Sequence, residues 1–195
     1  MTRKILLAGL VGGIVIYIWG IISHLVLPLG MVGIRQVPNE QMVVSALRES
    51  IQESGFYFFP GWEHSPNMTE EEQKAAMQRW EEKIRQGPNG ILIYTPEGQS
   101  PVSASQMLIE LLSNIAGALV AAFLLARAVS GIAGFGGRVL FVALLGLFAS
   151  LAIDVSYWNW YSFPGSFTLA ALIDQVVGWG LAGLPLAAIL KRPVA

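Results

Sequence analysis

Two features are scarce in this chain of 195 residues, and each scarcity excludes a class of protein. The sequence contains no cysteine, which excludes a disulfide framework, a catalytic thiolate and a thiolate metal site. Charged residues make up only 13% of the chain, whereas soluble proteins carry roughly 25%. The net charge of −1 provides no basic excess, so we expect no nucleic-acid partner.

Apolar residues are abundant instead, at 54% of the chain, with a mean hydropathy of +0.57. Four stretches reach the roughly 20 apolar residues that a bilayer-spanning helix needs. These predict a membrane all-α core of four transmembrane helices. A first helix occupies residues 1–30, and a three-helix transmembrane region occupies residues 107–195, with spans near 107–128, 139–157 and 167–190.

The intervening segment, residues 31–106, predicts a small α+β extracytoplasmic lobe in the order α-β-α-β. Its clearest local pattern is "MTEEEQKAAMQRWEEKIRQG", where Thr69 and Glu72 have the spacing of a capping box and Gly87 closes the helix. "FYFFPG" and "GILIYTPEG" are typical of short strands bounded by turns. Because a helix separates the two strands, a β-α-β crossover is available, and we expect parallel pairing.

Basic residues next to the spans predict the orientation of the chain. Six of them flank the predicted helices on one side: Arg3, Lys4, Arg127, Arg138, Lys191 and Arg192. The lobe carries six basic residues against ten acidic ones. We therefore expect a multi-pass protein of the cell (inner or plasma) membrane, with both termini cytoplasmic and residues 31–106 extracytoplasmic.

Ionisable residues within the spans are few, and they share one depth. They are His24, Glu110, Asp154 and Asp174. At ~1.5 Å per residue, all four fall in the outer half of the bilayer, roughly 5–12 Å inside it. Each lies on its helix's stripe of small residues, and Asn114 shares the face of Glu110. Small residues mark helix contacts, and charged groups in spans face the bundle interior.

These positions predict a buried polar cluster of His24, Glu110, Asn114, Asp154 and Asp174. We expect His24 to lie within direct or water-bridged reach of a carboxylate. One imidazole with three carboxylates has the ligand types for a divalent metal, although no helical His/Glu ligand spacing is present. The same groups could relay protons, hold the polar head of a quinone or lipid, or act only as packing pairs. The sequence identifies no cofactor and leaves the metal unknown.

Two further patterns concern the membrane helices. Trp158, Trp160 and Tyr161 are typical of an interfacial aromatic belt, and a ligand-stacking role is the alternative. Gly9 and Gly13 form a G-x-x-x-G pair, which predicts close packing against another helix.

The sequence shows no nucleophile–base pair or cofactor motif, which favours a protein that is not an enzyme. The first hypothesis is an accessory or partner-binding integral membrane protein whose outer lobe docks a periplasmic or membrane partner. The alternative is a small carrier, or a proton- or ligand-handling protein, that uses the polar cluster. Because the chain contains no inverted repeat, a carrier would need to oligomerise. Expected partners are therefore the lipid bilayer and a membrane protein or a second copy of this chain.

Overall fold

The computed structural model describes residues 2–191, so Arg192 of the predicted basic flank lies outside the described residues. The described chain is mostly helical, with four long apolar helices and a small two-stranded sheet. Its elements follow the order α1 (Thr2–Ile21), a π-helical turn (Ile22–Val26), a 3₁₀ turn (Leu29–Met31), α2 (Glu40–Ser50), β1 (Gly55–Phe59), α3 (Glu70–Gln86), β2 (Gly90–Tyr94), α4 (Ala104–Ala128), α5 (Gly134–Tyr161) and α6 (Gly165–Ile189).

Four helical segments are long and apolar enough to cross a membrane, which indicates a multi-pass membrane protein. They are Thr2–Val26, Ala104–Ala128, Gly134–Tyr161 and Gly165–Ile189. Even the 25-residue segments extend about 38 Å at 1.5 Å per residue, which exceeds the roughly 30 Å of a bilayer's hydrocarbon core. The third segment is longer than the predicted 139–157 at both ends, because its helix begins at Gly134 and continues through the aromatic residues to Tyr161.

Chain contacts divide the protein into two units. The helical unit comprises residues 1–34 and 100–195, and the lobe comprises residues 35–99. In the helical unit, α1 packs antiparallel to α4. A Cβ at Gly9 would lie 2.8 Å from the Cα of Leu119, and a Cβ at Gly13 would lie 2.7 Å from the backbone nitrogen of Ile115. The close packing predicted from the glycine pair is therefore confirmed.

Helices α5 and α6 form a second close antiparallel pair. A Cβ at Gly146 would lie 2.6 Å from the carbonyl oxygen of Gln175, so only glycine permits this approach. At the other end of the pair, Arg138 is buried and its Nε–H donates to the carbonyl oxygen of Ala187 at 3.2 Å. A cation is favourable beside the C-terminal carbonyls of a helix, so this contact joins the start of α5 to the end of α6.

The lobe contains the predicted α-β-α-β order, but the expected parallel pairing is wrong. Strands β1 and β2 are antiparallel, with Phe59 opposite Gly90 and Gly55 opposite Tyr94. The end of β1 is therefore next to the start of β2.

The path of the chain between the strands explains this pairing. The loop after β1 runs back along α3, where the indole N–H of Trp80 donates to the carbonyl oxygen of Pro60 at 3.1 Å. Trp62 stacks on the same indole at 5.8 Å between ring centroids. The loop runs from the end of β1 along α3 to the start of that helix. The helix then returns in the opposite direction and ends beside the end of β1. The next strand then starts there and runs in the opposite direction.

The predicted capping box at the start of α3 is confirmed. The backbone N–H of Glu72 donates to the Oγ1 of Thr69 at 3.3 Å, and the N–H of Thr69 donates to the Glu72 carboxylate at 2.8 Å. This second bond lowers the pKa of the Glu72 carboxyl. Gly87 follows the last turn with φ +62°, a conformation that favours glycine.

Candidate functional site: a polar cavity in the helical unit

A cavity of about 390 Å³ lies between α1, α4, α5 and α6. The structure brings all five residues of the predicted polar cluster to its walls: His24, Glu110, Asn114, Asp154 and Asp174. They come from the π-helical turn after α1, from the C-terminal end of α5 and from the N-terminal halves of α4 and α6. Because neighbouring helices pack antiparallel, these ends lie together. The ionisable residues that were predicted to share one depth therefore meet at one cavity.

The five side chains differ in exposure. His24 and Glu110 are exposed, whereas Asn114, Asp154 and Asp174 are half-buried. Among the residues that the structure describes, no ion pair joins the imidazole of His24 to a carboxylate of the cavity. The direct form of the predicted His24–carboxylate contact is therefore absent from the described chain, and the water-bridged form stays a prediction.

A π-helical turn explains how the imidazole of His24 is held. The turn, Ile22–Val26, directly follows α1 and ends the helical segment. His24 Nδ1 lies 2.8 Å from the Oγ of Ser23 and 3.1 Å from the carbonyl oxygen of Gly20. A hydrogen bond to this carbonyl places the proton on Nδ1, because a carbonyl only accepts. Nε2 is then the ring atom left for a ligand or a water.

The same ring packs against Gly30, which follows in the 3₁₀ turn. A Cβ at Gly30 would lie 3.1 Å from the Cγ of His24 and 3.3 Å from Nε2. Leu29 and Gly30 also line the cavity, so the chain after α1 forms part of its wall.

Two of the three carboxylates have a hydrogen-bond donor from their own helix. The hydroxyl of Ser150 donates to Asp154 at 2.6 Å. The amide of Asn114 donates to Glu110 at 3.0 Å. The third carboxylate differs, because the Oδ1 of Asp174 is shielded from solvent and has no hydrogen-bond partner in the described structure. A buried polar oxygen without a partner costs free energy, so this atom requires an explanation.

Sequence reasoning did not find Trp19, Gln175 and Trp179, which also line the cavity. The indole N–H of Trp19 donates to the backbone carbonyl of Asp174 at 3.2 Å. The indole N–H of Trp179 donates to the side-chain oxygen of Gln175 at 3.1 Å. The stripes of small residues could have indicated the two tryptophans, because each indole packs against a glycine of a stripe.

Those glycines are Gly178 and Gly146. A Cβ at Gly178 would lie 2.8 Å from the Trp19 ring, and one at Gly146 would lie 2.7 Å from the ring of Trp179. Small residues on these faces therefore admit large aromatic side chains as well as neighbouring backbones.

A metal centre receives little support from the arrangement. In the described part of the chain, no three His, Asp or Glu side chains are close enough together to hold one ion. The ligand types that the sequence predicts are present at one cavity, but they are spread around its walls.

The predicted interfacial aromatics lie at the end of α5 and do not line the cavity. Trp158 and Trp160 are exposed, as expected for a membrane-interface position. Neighbouring rings continue toward the cavity: Tyr157 stacks on Phe163 at 5.5 Å, and Phe163 contacts Phe167 at 5.4 Å. Of these, Phe167 is a cavity residue.

The lobe contains a separate groove of about 680 Å³ between α3 and the loop that precedes it. Its side chains, which include Trp62 and His64, are mostly exposed. Glu63 is paired with Arg79 at 2.7 Å and with Lys83 at 3.5 Å. The hydrogen bond from Arg79 lowers the pKa of the Glu63 carboxyl, and both cations add to this effect. The charge of Glu63 is therefore satisfied within the lobe.

Comparison of the chain with protein-family models, curated proteins and solved structures found no match. The fold and the cavity define a class on their own: a helical protein with four potential membrane spans, a small α+β lobe and a polar cavity within the helices.

Proposed function

We propose that this protein is an integral membrane protein of non-enzymatic type that binds a small polar ligand, or protons, in the cavity of its helical unit. The observation that carries the proposal is the convergence of three carboxylates, an imidazole and two amides on one cavity. The volume of about 390 Å³ falls within the roughly 300–1,000 Å³ of small-molecule sites. The unpartnered Oδ1 of Asp174 also supports a ligand: this oxygen is shielded in the described structure, and a rotation of the carboxylate that brings it to an occupant of the cavity would satisfy it.

The arrangement of Ser23 and His24 argues against hydrolytic chemistry. Their 2.8 Å contact resembles a nucleophile–base pair, but Ser23 is fully buried and its hydroxyl donates to Gly20. A nucleophile must reach the substrate, so this hydroxyl is better explained as a support for the imidazole ring.

Orientation forms part of the same proposal. Basic flanks and an acidic lobe support cytoplasmic termini and an extracytoplasmic lobe in the cell membrane. Phosphatase fusions after Ala195 and within residues 95–99 test this arrangement. We expect activity only from the fusion within the lobe, and an active fusion after Ala195 would overturn the orientation.

Native mass spectrometry of the full chain, purified in mild detergent, tests ligand binding. We expect a low-mass species to co-purify with the wild type and to be lost from the Asp174→Asn variant. Glu97→Gln is the matched control, because Glu97 is an exposed acid of the lobe, and this variant should retain the species. If the wild type carries no bound species and binds none that is added, the ligand form of the proposal is wrong and only the proton form is left.

A second candidate function, partner binding by the lobe, has its own supporting observation. Phe56, Phe58 and Ile93 share one face of the two-stranded sheet, and each is more than half exposed. Exposed apolar patches of this kind are typical of interaction surfaces. The partner would be a membrane protein or a second copy of this chain.

Photocrosslinking in living cells tests this second function. A photoreactive residue at position 93 should give one adduct of discrete mass, whereas one at position 92, on the other face of the sheet, should not. Equal crosslinking from both positions would remove the support for a docking face.

A further inference from the structure

We propose that the cavity of the helical unit selects a small organic cation that carries an ammonium or guanidinium group. This inference rests on the proposed function, since it names the chemical class of the ligand that the cavity binds. Three independent properties of the walls lead to it: the balance of hydrogen-bond donors and acceptors, the balance of charge, and the aromatic surfaces.

Several hydrogen-bond donors of the walls are already committed to other residues of the protein. The indoles of Trp19 and Trp179 and the amide of Asn114 each donate to a wall residue. The hydroxyl of Ser150 is likewise committed to Asp154. Unused acceptors remain, above all the Oδ1 of Asp174, which has no partner among the described residues. The side-chain NH2 of Gln175 is the one wall amide without an acceptor in the described structure, and it shares the cavity with three carboxylates. The walls therefore favour an occupant that supplies donors, and ammonium and guanidinium groups carry several donors and no acceptor.

The charges favour the same occupant. Three carboxylates line the cavity against one imidazole, and none of its described lining residues is a lysine or an arginine. Carboxylates that stay ionised inside a membrane helix bundle are stabilised by a partner of opposite charge, because lipid solvates them poorly. Within the described chain that partner is missing, so a cationic ligand would complete the site.

The aromatic walls suit an organic cation better than a bare metal ion. Trp19, Trp179 and Phe167 line the cavity, and the face of an aromatic ring attracts ammonium and guanidinium groups. A metal ion would need several ligands within about 2–2.5 Å, and no three suitable side chains of the described structure are grouped in that way. A free amine and the amine headgroup of a phospholipid share the required chemistry.

Binding to the full chain in detergent tests the charge of the ligand. Calorimetric titrations would use n-butylammonium, n-butylguanidinium, neutral n-butanol and anionic butyrate. We expect saturable binding of the two cations and binding at least about tenfold weaker for the other two, because a charge-assisted hydrogen bond is lost with each. If n-butanol or butyrate binds as tightly as n-butylammonium, the cation assignment is wrong. The proposed ligand function would still stand in that case.

Variants locate the site within the cavity. Asp174→Asn should weaken n-butylammonium binding by about tenfold or more, and the lobe control Glu97→Gln should leave it unchanged. Glu110→Gln provides a second variant whose fold is less at risk, since Glu110 is exposed, and it should also weaken binding. If neither cavity variant changes the affinity, the cation binds elsewhere and the assignment fails.

Lipid composition distinguishes the two sources of the cation. In nanodiscs made with phosphatidylethanolamine or with phosphatidylglycerol, native mass spectrometry reports the lipids that remain bound. Retention of phosphatidylethanolamine that n-butylammonium displaces would identify a lipid headgroup as the ligand. Binding of n-butylammonium that is equal in both lipids would identify a free amine. Absence of any bound species or probe would overturn the ligand form of the proposed function together with this inference.

Discussion

Replacing Gly13 by alanine tests how closely α1 approaches α4. The added Cβ would lie 2.7 Å from the backbone nitrogen of Ile115, whereas ordinary contacts begin at 3.4 Å. The backbone of Ile115 cannot rotate away, so the two helices must separate by roughly 1 Å or distort. Overpacking of this kind costs about 1–3 kcal/mol. We therefore expect Gly13→Ala to lower the free energy of unfolding by that amount, as measured by denaturant titration in detergent with circular dichroism.

The same helix offers a matched control at Gly20. A Cβ there would meet no atom within 4 Å, so Gly20→Ala changes helix propensity without a steric conflict. Alanine is favoured over glycine in a helix by up to about 1 kcal/mol, so this variant should be neutral or slightly stabilised. Equal unfolding midpoints for Gly13→Ala and the wild type would refute the close approach of α1 and α4.

The remaining predictions concern the lobe and the imidazole. Thr69→Ala should destabilise the lobe by about 1 kcal/mol, measured by denaturation of the full chain, and an unchanged midpoint would contradict the cap. Pairing with Arg79 lowers the pKa of Glu63 below its ordinary 4.5, so its stabilisation exists above that pH and is lost as the pH falls through the lowered pKa. The melting temperatures of Glu63→Gln and the wild type should therefore differ at neutral pH and converge in acid; a constant difference would disprove the pairing. Gly30→Ala should displace the ring of His24 and shift its NMR signals, and unchanged signals would show that the two do not touch.

Local patterns explain what the sequence could predict. The four apolar segments and the capping box at Thr69 depend on neighbours along the chain, and both are present in the structure. Local information also predicted that the polar side chains lie close together. Depth within a span and position on a helix face are enough when four antiparallel helices pack together.

Other features depend on contacts between distant residues, and the sequence did not reveal them. The strand pairing was mispredicted because the loop after β1 packs along α3, through Trp62 and Trp80. One local contact was missed as well: the imidazole of His24 is held by its own helical segment, because the π-helical turn brings Nδ1 to the carbonyl of Gly20. No sequence pattern indicated that turn. The two tryptophans of the cavity were not predicted, because the prediction was based on ionisable side chains and an indole carries no charge.

The antiparallel sheet also determines where the chain tolerates changes of length. Phe59 pairs with Gly90, so the polypeptide leaves and re-enters the sheet at neighbouring positions. Residues 60–89 thus connect two adjacent positions of the sheet, and the number of residues in this connection does not set the register of the strands. Insertions or tags placed in the loops of this connection should leave the pairing of β1 with β2 unchanged. One residue added within α1 would instead turn His24 by about 100° around the helix axis and away from its cavity.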